Sequence, residues 1–302
     1  MKVFKLMKSE FFNLNSKILI GSFLLIVMVV FFAGCCSQIN FYTPKLEEKI
    51  ASKCKVIRVD KWHGYNRVVF DFKGYEAWVV EPHSSPRSDR VWTWTMQWAD
   101  AFVERTGVLE LLNKGWYHVT IDTFRLRMND EGLRVSREYQ RFLVDELGFN
   151  PKANLVGLSW GGFFSTRYAS QYPDCVSKIY LDAPLLVLDK LRGLSEAESL
   201  DKKELIIGPW AHMQPSSGIW KDDERMPVNL AKKIAKSSIP ILLFYGTEDQ
   251  TVPPELNSEV FIERFEAAGG KLDKRRRYLY GHHPHGVDEK NLSIITKFFE
   301  GK

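Results

Sequence analysis

Strand-length and helix-length stretches alternate along this chain from about residue 76 to its end. A chain built that way lays parallel strands into one sheet and covers both faces with the helices between them. The helical pieces carry their own signatures. In 131–149, Val135, Tyr139, Phe142, Leu143 and Leu147 recur at helical spacing ahead of Gly148. The strand pieces are short apolar runs, as in IPILLFYG at 239–246. Ahead of the alternation, β-rich runs predict a hairpin at 55–60 and 66–72 and a third strand at 76–81. A long connection rich in tryptophan follows. Residues 186–238 break the rhythm with a charged stretch and then a Gly/Pro-rich aromatic one, which predicts a cap inserted over the C-terminal edge of the sheet. At 302 residues and 45% hydrophobic, the chain has material for a full core. No repeat of solenoid or propeller length is present.

The first 35 residues have a different character. A lysine-bearing stretch precedes the charge-free run ILIGSFLLIVMVVFFAG, which ends at Cys35. That order describes a secretory signal. The end of the run, Ala33-Gly34-Cys35, resembles a bacterial lipobox, which implies lipidation of Cys35. Phe32 departs from the leucine usual there, and an uncleaved membrane anchor is the other reading. Either one places residues 36–302 outside the cytoplasm, tethered to a membrane as a periplasmic or cell-surface protein. Residues 1–34 carry +3 of the total +5, so the remainder is nearly neutral and gives no support for nucleic-acid binding. The run Lys274-Arg275-Arg276-Arg277 reads as a solvated strand edge, with attraction of an anionic substrate as the weaker alternative. An oxidising compartment permits Cys54 and Cys175 to pair, without requiring it.

The chemistry centres on Gly157-Leu158-Ser159-Trp160-Gly161-Gly162. A predicted strand, 152–159, runs into it and a predicted helix, 160–173, leaves it, the setting of a nucleophile elbow. A serine on so sharp a turn takes strained backbone angles, and Cβ atoms at Gly157 and Gly161 would crowd it. The turn lifts the hydroxyl to a helix N-terminus, where the N–H of Trp160 is free to stabilise an oxyanion. A hydroxyl needs a base to take its proton, and the base needs a carboxylate to orient it. Both follow in the expected order, each just past a predicted strand. Asp249 stands beyond Gly246, and His282, His283 and His285 stand beyond Gly281. The second oxyanion donor should come from the loop after the third strand, where Trp92, Thr93 and Trp94 are the candidates.

With the elbow, the stretch Gly246-Thr247-Glu248-Asp249-Gln250-Thr251-Val252-Pro253 and the stretch Gly281-His282-His283-Pro284-His285, the chain resembles the α/β-hydrolase superfamily. It is closest to secreted bacterial esterase-like members with a W-x-W segment, here Trp92-Thr93-Trp94. The resemblance implies Asp249 rather than Glu248 as the acid and His282 as the base. It also implies a serine hydrolase that forms an acyl-enzyme and needs no cofactor or metal. The expected substrate is a small-molecule or glycan ester, with tryptophans near the cleft available to stack on a sugar ring. One alternative is a secreted serine peptidase of the prolyl-oligopeptidase type, whose usual N-terminal propeller is not expected in a chain of this length. The other is a non-catalytic binding protein that kept the fold.

Overall fold

The computed structural model describes residues 45–83, 85–188, 208–213 and 220–302. The expected signal, Cys35, and much of the expected insertion, 189–207 and 214–219, lie outside the described residues. Among the described residues no helix is long and apolar enough to cross a membrane.

Helix α1, Leu46–Ala51, leads into β1, Lys55–Trp62, β2, Tyr65–Phe72, and β3, Tyr75–Val80. These three form an antiparallel meander, at the expected places. The strands that follow are β4, Trp92–Thr95, β5, Tyr117–Ile121, β6, Ala153–Leu158, β7, Val176–Asp182, β8, Ile241–Gly246, and β9, Asp273–Arg277. The sheet order is β1-β2-β3-β5-β4-β6-β7-β8-β9. From β5 onward every pairing is parallel. The crossover helices are α2, Val108–Asn113, α3, Asp130–Asp145, α4, Trp160–Gln171, α5, Pro227–Ala235, and α6, Ser258–Ala267; α7, Leu292–Glu300, follows β9.

Alternate residues of the central strands feed two cores, as the two faces of a pleated strand require. Leu155 of β6 and Leu243 of β8 join the core under α1 and α3 to α6. Val156, Leu158, Leu242 and Phe244 join the core under α2 and α7. Helix α3 starts where Asn129 accepts the N–H of Gly132 on its side chain at 2.9 Å, and Asp130 and Glu131 face the positive end of the helix dipole.

Three expectations need correction. The tryptophan segment is not a connection: Trp92–Thr95 is β4, between β5 and β6, and all four residues are buried. Trp92 and Trp94 have no exposed surface, and the Trp92 indole N–H donates to the Asn150 carbonyl at 2.8 Å. The last strand, which the run KRRRYLYG at 274–281 predicts, stops at Arg277. Leu279 turns back with φ 60°, and Tyr278, Leu279 and Tyr280 stand exposed. In β9 itself, Lys274, Arg275 and Arg276 are paired with Glu266, Asp273 and Glu259, as on a solvated edge, but Arg277 points inward. The pairing of Cys54 and Cys175, which the sequence leaves open, is not made: both are free thiols.

Part of the expected insertion 186–238 is described. Its α5 packs on α4 and α6 as the crossover between β7 and β8, tied by the Val228 N–H to the Leu186 carbonyl at 3.1 Å. Trp210 is fully buried, with the Arg167 guanidinium 4.5 Å over its ring.

Candidate active site

The elbow has the geometry its glycines predict, with one change of residue. Ser159 joins β6 to α4 at φ 49° and ψ −115°, a conformation that costs an L-residue about 1–3 kcal/mol. Its N–H donates to the Asp182 carbonyl at 3.1 Å, and its own carbonyl accepts from Gly162 and Leu185, each at 2.9 Å. Every backbone polar group of the serine is therefore committed to holding the turn. A Cβ on Gly157 would lie 2.8 Å from the Gly161 carbonyl oxygen, so that position is closed. A Cβ on Gly161 would meet nothing nearer than 3.5 Å, an ordinary contact. The crowded partner is Gly162, where a Cβ would fall 2.2 Å from that of Pro184.

Ser159 and Trp160 are half-buried, so the hydroxyl is reachable. Ser159 Oγ lies 3.0 Å from His282 Nε2, and His282 Nδ1 lies 2.7 Å from Asp249 Oδ2. The other Asp249 oxygen accepts the N–H groups of Thr251 and Val252 at 3.0 and 2.8 Å, which fixes the carboxylate. Three segments more than 30 residues apart thus converge at the C-terminal ends of β6 and β8 and beyond β9. Glu248, the neighbouring acid, is exposed.

The other two histidines lie close by but face elsewhere. His283 is exposed and stacks on the Phe102 ring at 5.5 Å. Burial and the neighbouring imidazoles of His282 and His285 push its pKa down. His285 is buried with Nδ1 3.1 Å from Asp182 Oδ1.

Asp182 is a residue the sequence reading missed. It ends β7 with no exposed surface. Its carboxylate receives Arg277 Nη2 at 2.6 Å, the Tyr180 hydroxyl at 2.8 Å and the Gly286 N–H at 3.0 Å, besides His285. Burial works to raise this carboxyl, but the His285 hydrogen bond and the Arg277 charge prevail and hold it below the ordinary range. No local signal marks it, because Arg277 and His285 lie 95 and 103 residues away.

The oxyanion candidates divide. Trp160 is the first residue of α4, so its N–H has no intrahelical acceptor and sits beside the hydroxyl. Trp92, Thr93 and Trp94 are interior to the sheet and do not reach the elbow. The chain beyond β4 does: the Gln97 backbone N lies 3.5 Å from where a Gly161 Cβ would stand. Met96 is spent, its N–H donating to Val156. Gln97 is buried, and its side-chain Nε2 has no hydrogen-bond partner among the described residues. Trp98 is 43% exposed, and its ring lies 4.7 Å from Phe124. Phe124 in turn meets Trp160 edge-on at 5.7 Å, so an aromatic wall borders the serine.

A family model described as alpha/beta hydrolase fold matches residues 83–217. The acylamino-acid-releasing enzyme of Rattus norvegicus is 24% identical over 189 residues, 61% of this chain and 25% of that protein. The chain thus aligns with about a quarter of the length of the curated relatives it matches. Among solved structures, the acylaminoacyl peptidase of Pyrococcus horikoshii is similar at 17% identity and TM-score 0.54, over 85% of this chain and 43% of that one. An S-formylglutathione hydrolase from Agrobacterium tumefaciens is similar at 16% identity and TM-score 0.51, over 82% of this chain and 96% of that one. Sheet order, elbow and family model agree on an alpha/beta hydrolase fold for this chain.

Proposed function

We propose that this chain is a serine hydrolase that cleaves an acyl bond to nitrogen, as a peptidase acting near the N-terminus of short peptides. The observation that carries the hydrolase reading is the 3.0 Å contact from Ser159 Oγ to His282 Nε2, backed by Asp249 at 2.7 Å from Nδ1. Ser159 attacks the acyl carbonyl while His282 accepts its proton and returns it to the leaving amine. Asp249 fixes the imidazole and stabilises its charged form. The Trp160 N–H, with a donor from Gln97 or Trp98, receives the oxyanion. Water then releases the acyl group by the same path. No group beyond these side chains and water enters any step.

The amide preference rests on the named relatives, acylamino-acid-releasing enzyme and acylaminoacyl peptidase, which support it better than they support an ester. A small ester or thioester remains the second reading, favoured by the likeness to an S-formylglutathione hydrolase that this chain covers almost whole. For a glycan ester, Trp92 and Trp94 are sealed in the core and cannot stack on a sugar, which leaves Trp98 and Trp160 as the tryptophans beside the serine. The test is kcat/KM on acetyl-alanyl-p-nitroanilide and alanyl-p-nitroanilide beside p-nitrophenyl acetate. Amide turnover abolished by Ser159→Ala supports the peptidase; ester turnover alone assigns an esterase. The lipobox-like stretch supports placing this activity at a membrane surface outside the cytoplasm, tested by fatty-acid labelling that Cys35→Ala removes.

A further inference from the structure

We propose that His282, His283 and His285 form an inhibitory site for a borderline-soft divalent cation, with Zn2+ the best-suited occupant. The site rests on the hydrolase reading only for its consequence, not for its ligands. Each of the three imidazoles offers a nitrogen, and these nitrogens all lie within 4.8 Å of one another. Two donors on one Zn2+ stand about 3.4 Å apart, given Zn–N bonds of ~2.0–2.1 Å. Rotation of the exposed His283 and a small tightening of the 282–285 loop would close the difference, while carboxylates orient the other two rings.

The pinning is what makes these histidines ligands and not merely neighbours. His282 Nδ1 faces the Asp249 carboxylate at 2.7 Å, and His285 Nδ1 faces Asp182 at 3.1 Å. Each carboxylate holds a proton on Nδ1 and leaves Nε2 with its lone pair. A carboxylate behind a ligating imidazole is the usual support of zinc histidines, since it fixes the tautomer and raises the basicity of the other nitrogen. Two carboxylates, Asp182 and Asp249, also supply negative potential behind the rings. Imidazole donors favour Zn2+, Cu2+ and Ni2+ over Mg2+ and Ca2+, which seek oxygen.

The consequence follows from one distance. His282 Nε2 is the atom 3.0 Å from Ser159 Oγ. A cation on that lone pair occupies the position that must accept the serine proton, so the hydroxyl keeps its hydrogen and no attack occurs. The cation here is a reversible brake and takes no part in the reaction, which leaves intact the expectation that turnover needs no metal.

The experiment titrates the full chain with ZnCl2, MgCl2 and CaCl2 and follows both hydrolysis and heat of binding. Zn2+ should inhibit reversibly, with activity restored by EDTA, while Mg2+ and Ca2+ leave it unchanged. His283→Ala should retain wild-type kcat/KM within about threefold and lose Zn2+ affinity by about ten- to a hundredfold. His283→Gln, nearer in size, repeats the test, and a thermal melt checks that each variant folds. Calorimetry on Ser159→Ala reads binding without any turnover. Should no acyl substrate be found while Zn2+ binding still depends on His283, the function fails and the site stands. Equal Zn2+ affinity in wild type and both His283 variants, or no heat of binding, overturns the site.

Discussion

The N–H of Ser159 donates to the carbonyl of Asp182 at 3.1 Å, so the elbow turn hangs on the last residue of the next strand. The same residue's carboxylate holds His285, Gly286 and Arg277. One aspartate therefore ties the elbow to the loop that carries His282.

Asp182→Asn keeps the side-chain volume and removes the charge, leaving Arg277 buried without its counterion. Breaking one side of a buried pair costs about 3–5 kcal/mol. We expect a fall of that order in denaturant stability and a lower kcat with little change in KM, since His282 loses its alignment. Asp182→Asn with Arg277→Met should recover part of the stability, and a strictly additive double variant would mean that the pair is not coupled. The acid dependence has a definite sign. A carboxyl held below its ordinary pKa of 3.8 contributes stability that is complete above that value and is lost as pH falls through the lower folded-state value. Asp182 therefore acts on stability only in strong acid.

The elbow glycines give a contrast within two adjacent residues. Gly162→Ala drives a Cβ to within 2.2 Å of the Pro184 side chain, so α4 or the chain after β7 must shift. We expect a loss of several kcal/mol, in the range of overpacked cores. Gly161→Ala meets only ordinary contacts and gains about 1 kcal/mol of helix propensity. Thermal melts of the two variants should separate widely in that order, and equal melting temperatures would contradict the packing described.

What the sequence disclosed follows from how local each signal is. Ser159, Asp249 and His282 each sit in a short turn whose glycines and prolines mark it, so chain order points to a serine, an acid and a histidine that meet, and the family resemblance picks Asp249 and His282 from their neighbours. Trp92–Thr95 escaped because a strand of only four residues is too short to stand out from its surroundings, and the turn-rich HSSPRSDR before it reads as connection. The exposed Tyr278, Leu279 and Tyr280 look like a strand by composition, and only a positive φ at Leu279 takes them out of the sheet. Asp182 was illegible for the opposite reason: its partners are assembled by strand order, which no local pattern encodes.

His118 supplies a pH effect in a different window. It is fully buried in β5, with Nδ1 2.9 Å from the Thr93 hydroxyl and its ring stacked 5.4 Å from Trp62. Burial pushes its pKa down from 6.5 to about 3. The unfolded chain binds a proton below pH 6.5 that the folded chain refuses, so stability falls as pH falls from there towards 3. The slope at full protonation of the unfolded histidine is about 1.4 kcal/mol per pH unit. His118→Phe removes the titration, and its stability should decline less steeply across this window. Parallel denaturation curves for variant and wild type from pH 6.5 to 4.5 would assign the acid sensitivity elsewhere.

The strain at Ser159 predicts an exchange of stability against activity at a single atom. With φ at 49° and ψ at −115°, the residue sits where only glycine is comfortable. Ser159→Ala removes the hydroxyl and keeps Cβ, so turnover should vanish while the melting temperature stays near wild type. Ser159→Gly removes Cβ as well and relieves about 1–3 kcal/mol of backbone strain. Against this stands the greater freedom of glycine in the unfolded chain, about 0.5–1 kcal/mol. The balance leaves Ser159→Gly as stable as Ser159→Ala or more so, although glycine at an unstrained position lowers stability. A glycine variant clearly less stable than the alanine variant would show that the turn stores no strain. The hydroxyl would then be held in place by the hydrogen bonds to Asp182, Gly162 and Leu185 alone.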